Sequence, residues 1–302
     1  MAYGVQPQLT GSNTLGHGRE FTAEVWDGYD PAAMDRDPSI GFYDADDFMN
    51  GPVFPANSAL AGASGKYRAL TSNTALNVIE PLAGQGGILK LSLSATDNNE
   101  CYLQASRSHI LATADEDDAF PYHHVARVRL GVRFALGTVT DNQAGMFIGL
   151  IGQDVATGAL AANTAALVST FHGIGLNILQ ADGNAMNLVY QESGTALQTV
   201  LASALVPVIN TWYTFEMDYN PFGKTDEFIS FWINGTKLST FVTKAQFTAT
   251  ATLGPVSTDS VTIPVGFGAL RVNGEATASH AYLGGYRCWS ELGKARGNEV
   301  CG

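Results

Sequence analysis

Trp212-Tyr213-Thr214-Phe215-Glu216-Met217-Asp218-Tyr219 alternates strictly: Trp212, Thr214, Glu216 and Asp218 fall on one side, and Tyr213, Phe215, Met217 and Tyr219 on the other. Side chains of an extended strand point to opposite faces with a period of two, so this stretch predicts a strand with one apolar and one polar face. Further on, Phe228-Ile229-Ser230-Phe231-Trp232-Ile233 runs into Asn234-Gly235 and then Lys237 to Val242. Asn-Gly between two strand-like runs predicts a two-residue hairpin, because both turn residues must take positive φ. Asn234-Gly235-Thr236 also matches a glycosylation sequon, but the tight turn already accounts for those residues.

Outward from this hairpin the same reading repeats. Val128, Leu130, Val132 and Phe134 alternate with Arg127, Arg129 and Arg133, an apolar face backed by an arginine face expected to be solvated or to meet acidic loops. Ile88 to Leu93, Met146 to Ile151, Gly175 to Leu179, Met186 to Tyr190, Val261 to Leu270 and His280 to Trp289 read as further strands. Ala181-Asp182-Gly183-Asn184 reads as a hairpin turn. The Ala-rich stretch Val155 to Val168 is the best helix candidate, with a long loop as the alternative. So many strands in one run predict an all-β fold, a two-sheet antiparallel sandwich, over residues 76–302. Residues 1–75 lack clean periodicity and are expected to form an irregular N-terminal arm with a few short strands at most, docking on a partner.

The totals agree. The 302 residues are 45% hydrophobic and only 15% charged, with 33 glycines, which suits many tight turns and a large core. A net charge of −12 argues against nucleic acid as a partner. Cys101, Cys288 and Cys301 are too few and oddly numbered for a disulfide framework, and their spacing does not resemble a zinc site. Residues 1–18 lack the basic and apolar segments of a secretory signal, and no apolar run reaches the length of a membrane span. No membrane partner is expected.

A resemblance emerges at the hairpin. Trp212 to Asp218 followed by Phe231-Trp232-Ile233-Asn234-Gly235 resembles the Trp strand and the F-x-x-N-G hairpin of concanavalin A-like (laminin-G/legume-lectin-type) jelly rolls. The order Asp46-Asp47-Phe48, Gly86-Gly87-Ile88-Leu89-Lys90-Leu91 and Arg127-Val128-Arg129-Leu130 is similar to that in many tailed-phage structural proteins of this fold, of the capsid decoration, or cement, type. The resemblance covers about residues 40–290. It implies a concanavalin A-like jelly roll on the outside of a virion, assembled in the host cytoplasm, with the major capsid protein as partner. It also implies a homo-oligomer, a trimer among the options.

The sharpest enzymatic pattern is Glu216-Met217-Asp218-Tyr219-Asn220. Some glycoside hydrolases of this fold carry Glu-x-Asp-x-(x)-Glu on one strand, and retention needs two carboxylates about 5–5.5 Å apart. Here Asn220 or Pro221 stands where the second Glu belongs, and an amide cannot supply the proton. Asp44, Asp46 and Asp47, and Asp115-Glu116-Asp117-Asp118, are carboxylate clusters that could hold calcium, but neither has the Asp-x-Asp-x-Asp-Gly spacing. His123-His124 would point to opposite faces of a strand, and Gly173-Ile174-Gly175 sits in a β context rather than a nucleotide loop. No Gly-x-Ser-x-Gly elbow occurs. Trp26, Trp212, Trp232 and Trp289 could stack on sugars, though Trp212 and Trp232 are expected in the core.

The expectation is therefore a virion structural protein, a capsid decoration protein, and not an enzyme. It has no catalytic, cofactor or metal residues assigned, and calcium is the one cofactor left open. A phage tail or fibre glycan-binding module is the alternative, and a glycoside hydrolase the distant one.

Overall fold

The computed structural model describes residues 23–26, 41–49, 51–54, 66–71, 77–84, 86–96, 98–105, 109–111, 127–138, 145–152, 173–178, 185–191, 197–220, 226–243, 263–273 and 278–291, with single positions at 160, 167, 168, 171 and 246. One short helix, α1 (Ala23–Trp26), precedes the strands β1 (Gly41–Asp46), β2 (Tyr67–Thr71), β3 (Val78–Pro81), β4 (Leu89–Leu93), β5 (Glu100–Ala105) and β6 (His109–Leu111). Then follow β7 (Arg127–Leu136), β8 (Gly145–Ile151), β9 (Gly173–Ile178), β10 (Met186–Gln191), β11 (Gln198–Leu205) and β12 (Trp212–Tyr219). The last are β13 (Glu227–Ile233), β14 (Thr236–Lys237), β15 (Val242–Thr243), β16 (Ile263–Val272) and β17 (Ser279–Glu291).

These strands form two antiparallel sheets. The nine-stranded sheet runs β14-β13-β12-β7-β17-β4-β3, with β1 beside β17 and β15 beside β13. The eight-stranded sheet runs β11-β10-β9-β8-β16-β5-β2, with β6 beside β16. The chain repeatedly crosses between sheets, as at β4 to β5, β7 to β8 and β16 to β17, so most hydrogen-bonded neighbours are distant in sequence.

Alternation along each strand makes the core. Val128, Leu130, Val132 and Phe134 of β7 and Phe215, Met217 and Tyr219 of β12 belong to one buried cluster with Ile148, Leu150, Leu176, Leu188 and Phe267 of the other sheet. Each such side chain contributes roughly 1.5–3 kcal/mol by leaving water. Phe267 stacks on Tyr286 across the sheets, with ring centroids 4.2 Å apart and planes at 11°. The predicted hairpin is present: Asn234 and Gly235 have φ of 49° and 76°, and Asn234 Oδ1 accepts from the Thr214 amide at 2.9 Å. Gly173-Ile174-Gly175 lies inside β9, where Gly175 faces Gly149 of β8. A Cβ on Gly175 would sit 2.2 Å from the Ile148 carbonyl oxygen, so the two backbones approach too closely for a side chain.

Two expectations change. Strands of the sandwich begin before residue 76: β1 pairs with β17 in one sheet and β2 with β5 in the other, and α1 packs on the outside. The sequence hid this because these strands are short and carry Asp and Arg among their apolar residues. In the proposed helix 155–168, the described positions are not helical: Leu160 and Leu167 form an isolated antiparallel bridge. With Phe171 they cover Phe147, Ile151 and Val189 on the outer face of the eight-stranded sheet. Leu160 and Leu167 serve that cover, with Val168 packed against it. The turn at 181–184, His17, His123, His124, Asp115 to Asp118 and Cys301 lie outside the described residues.

Candidate functional site

The register of the nine-stranded sheet assembles the polar face. Trp289 of β17, Arg129 of β7, Asp218 of β12 and Ser230 of β13 stand side by side in one row, with Tyr43 of β1 beyond Trp289. The next row holds Arg287, Gly131, Glu216, Trp232 and Lys237. Residues two apart on each strand share a face, so both rows look away from the core. Glu216 and Asp218 do share a face, as their spacing predicted.

Around Glu216 that face is closed. Val25 and Trp26 of α1 form a separate apolar cluster with Trp232 and Trp289, and Tyr43 packs against it. The Trp26 indole Nε1 donates to Glu216 Oε1 at 2.8 Å, and the Arg287 guanidinium lies 5.9 Å from the Trp26 ring centre. Glu216 is 0% exposed and Trp26 1%. Asp218 is gripped from its other side: Arg127 donates from Nε and Nη2 to its two oxygens at 2.8 and 2.5 Å. Arg129 Nε forms an ion pair with Asp218 Oδ1 at 3.5 Å, and its guanidinium stacks 4.3 Å above the Trp289 ring. The arginine face is thus half-covered rather than solvated, because the carboxylates of β12 and the indoles of α1 and β17 meet it. Trp232 and Trp289 are buried, but in this outer cluster and not between the sheets.

The other candidates are placed as follows. Asp44 and Asp46 converge at one end of the sandwich. Asp44 accepts from the Tyr286 hydroxyl at 2.8 Å and Asp46 from the Tyr67 hydroxyl at 2.5 Å. Lys66 Nζ lies 3.0 Å from Asp46 and 3.8 Å from Asp44. Burial chiefly pushes both tyrosine hydroxyls well above their ordinary range, with Asp46 adding to it at Tyr67, and Tyr67 and then Asp44 at Tyr286. A single lysine ammonium sits against both carboxylates, and among the described residues no group of three or more His, Cys, Asp or Glu could hold a metal ion. Asp47 Oδ1 caps the Met49 amide at 3.1 Å. Cys101 and Cys288 are buried free thiols, pushed up chiefly by that burial. Among the described residues no helix is long and apolar enough to cross a membrane.

No family model and no curated protein matches the chain. Solved structures do resemble it in fold. A protein of unknown function from Shewanella oneidensis is 13% identical, covers 87% of this chain and 95% of its own, and gives a TM-score of 0.47. Peanut lectin is 11% identical, with 82% and 97% covered and a TM-score of 0.48. A beta-glucanase candidate from Mycobacterium abscessus is 13% identical, with 82% and 99% covered and a TM-score of 0.45. The chain itself is an all-β sandwich of two antiparallel sheets. At these identities the likeness concerns fold and carries nothing about ligand or activity.

The closed face limits the chemistry open to it. Both Asp218 oxygens accept from Arg127, and Glu216 faces an indole and not solvent. Sequence reasoning found the carboxylates and the arginines but not their meeting, which depends on β7 lying beside β12. It also missed Trp26 as the cover. Val25-Trp26, an apolar pair in a polar stretch, was the available signal.

Farther along the same face lies a second group. Arg133 stacks 4.0 Å above Trp212, whose ring centre is 6.5 Å from that of Tyr282, and His280 meets Tyr282 edge-on at 5.1 Å. Trp212, Tyr282 and His280 are all partly exposed. Trp212 therefore lies on the outer face and not in the core, because its alternation phase is that of Glu216.

Proposed function

We propose that this chain is a non-enzymatic structural component of a virus particle, a decoration protein bound to the outside of the capsid shell, with the major capsid protein as partner. The observation that carries the non-enzymatic reading is the Trp26–Glu216 contact: the chain's own N-terminal segment seals the face on which this sandwich holds its paired carboxylates. Polar chemistry there is spent on holding α1 and β7 in place. The resemblance to tailed-phage structural proteins supplies the particle context. No metal or cofactor enters this reading.

The test is the copy number of the chain in purified particles, by quantitative mass spectrometry against the major shell protein. Hundreds of copies in fixed ratio to the shell support decoration. A handful moves the protein to the tail, and absence from particles removes the virion reading. Reproducible release of reducing sugar, lost on Glu216→Gln, would overturn the non-enzymatic part.

One observation favours the second reading, a glycan-binding tail or fibre module. The Trp212, Tyr282 and Arg133 group offers partly exposed rings, and sugars stack on such rings. Glycan-array binding that disappears on Trp212→Ala would support it, and an array without hits would remove it.

A further inference from the structure

Near its C-terminal end β16 alternates between two apolar layers. Leu270 and Val272 belong to the outer cluster of the eight-stranded sheet, and Phe267 and Ala269 to the core between the sheets. Arg271, two residues past Ala269, therefore points into the core, and it is 0% exposed. Its partners in register are Cys101 of β5 and Met146 of β8, both core residues with sulfur side chains.

A guanidinium carries five N–H donors. Arg271 reaches the Met146 thioether from Nη1 at 3.9 Å and the Thr138 carbonyl from Nη2 at 3.3 Å, and its Nε has no acceptor. A thioether accepts only weakly, and neither contact is a carboxylate. Arg127 and Arg129 differ, since both meet Asp218. Burial lowers the Arg271 guanidinium to about 10, which leaves it charged at neutral pH. The adjacent Cys101 thiol is pushed well up, chiefly by burial, so it supplies no negative charge there.

A second buried polar group faces the same place. Ser279 is 1% exposed, and its hydroxyl has no hydrogen-bond partner. Ala281 and Leu283 face the core, so Ser279, in the same phase of β17, does too. The register pairs Ala281 with Leu136, and the Gly137 amide donates to the His280 carbonyl at 3.0 Å. One step further, Ser279 lies opposite Thr138, whose carbonyl accepts from Arg271. Polar side chains of opposite sheets thus converge at one end of the sandwich, where Thr138 is partly exposed.

We propose that Arg271 and Ser279 hold a small monovalent anion of the halide class between the two sheets, beside Thr138. Water would satisfy the donors but not the charge, and an uncompensated buried charge costs far more than a paired one. One guanidinium balances one negative charge, which selects against a dianion such as sulfate. Leu93, Leu136 and Met146, core residues at this end, select a compact ion over a large one. The guanidinium and the Ser279 hydroxyl both donate to the ion. This site is independent of the particle reading.

The experiment is thermal unfolding of the full chain in sodium chloride and in sodium gluconate at equal ionic strength, with chloride-35 line broadening by the folded protein. Chloride is expected to raise the midpoint over gluconate in a saturable way, by about 2–5 °C at tenfold its dissociation constant. Arg271→Met, which replaces a buried charge by an apolar chain, is expected to fold and to lose both the chloride shift and the broadening. Ser279→Ala is expected to weaken chloride binding at least threefold. Should Arg271→Met fail to fold, the broadening by the parent and by Ser279→Ala decides. Equal midpoints in the two salts without broadening would overturn the proposal. So would a chloride effect that persists in Arg271→Met, or one that Ser279→Ala leaves unchanged.

Discussion

Replacing Trp26 by Phe is expected to lower unfolding stability by about 1.5–3 kcal/mol, the range for a hydrogen bond to a charged group. The substitution keeps a ring in the outer cluster and removes the indole donor that reaches Glu216 Oε1 at 2.8 Å. Glu216 is 0% exposed, so water cannot replace the lost donor while α1 stays docked. Trp26→Ala also removes the ring packed with Val25, Trp232 and Trp289 and is expected to cost about 3–5 kcal/mol. A four-residue helix has no stability of its own, so α1 depends on tertiary contacts such as these. Where it lets go, water re-solvates Glu216 and the cost falls toward the lower end of each range. Urea unfolding followed by circular dichroism measures the totals. A cycle of Trp26→Phe, Glu216→Gln and the double variant isolates the pair, with a coupling above about 1 kcal/mol expected for groups in direct contact. A coupling near zero, or a Trp26→Ala variant as stable as the parent, would refute the sealed-face reasoning.

Asp218→Asn leaves Arg127 and the buried Arg129 facing an amide, and a loss of about 3 kcal/mol in urea unfolding is expected. Gly235→Ala forces a Cβ into a turn at φ 76° and is expected to cost about 1–2 kcal/mol by the same measurement, with both sheets intact by circular dichroism. Burial, with Lys90 and Arg271 nearby, holds His280 below its ordinary 6.5. As pH falls the unfolded chain therefore takes up this proton first. The stability tied to it is full above pH 6.5 and declines from there down through the lowered folded value. Thermal unfolding from pH 7.5 to 5 should show that decline, and His280→Asn should flatten it.

The alternation of Trp212 to Tyr219 and of Arg127 to Phe134 was enough to place β12 and β7, and Asn234-Gly235 to fix their hairpin neighbour, because strand period and turn chemistry are local properties. What was not legible is non-local. Nothing in Arg129 or Asp218 alone announces that β7 lies beside β12, since the two strands are joined only through the other sheet. The Trp212 phase was visible, yet its assignment to the core failed because a Trp reads as core wherever the covering layer is unknown. β1 was missed for a related reason. Asp44 and Asp46 look like solvent-facing acids until Tyr286, Tyr67 and Lys66, all distant in sequence, are seen to complete them.

The two covers, α1 on one sheet and the Leu160–Leu167 bridge on the other, change what the sandwich can present to a partner. A bare sandwich offers two broad faces. Here each outer face carries its own buried apolar cluster, Trp26, Trp232 and Trp289 on one side and Phe147, Phe171 and Leu160 on the other. Backbone groups within the sheets are satisfied by their neighbours, so unmet hydrogen-bonding capacity concentrates at the sheet ends. The covers are partial: Trp212, Tyr282 and Arg133 stand on the outer face of the nine-stranded sheet beyond the Trp26 cluster and keep part of their surface in water. A variant that opens the Trp26 cover should therefore lower stability and leave the Arg133–Trp212 stack in place. Urea unfolding of Trp26→Ala beside its indole fluorescence checks both, and an unchanged midpoint would show that the cover carries no load.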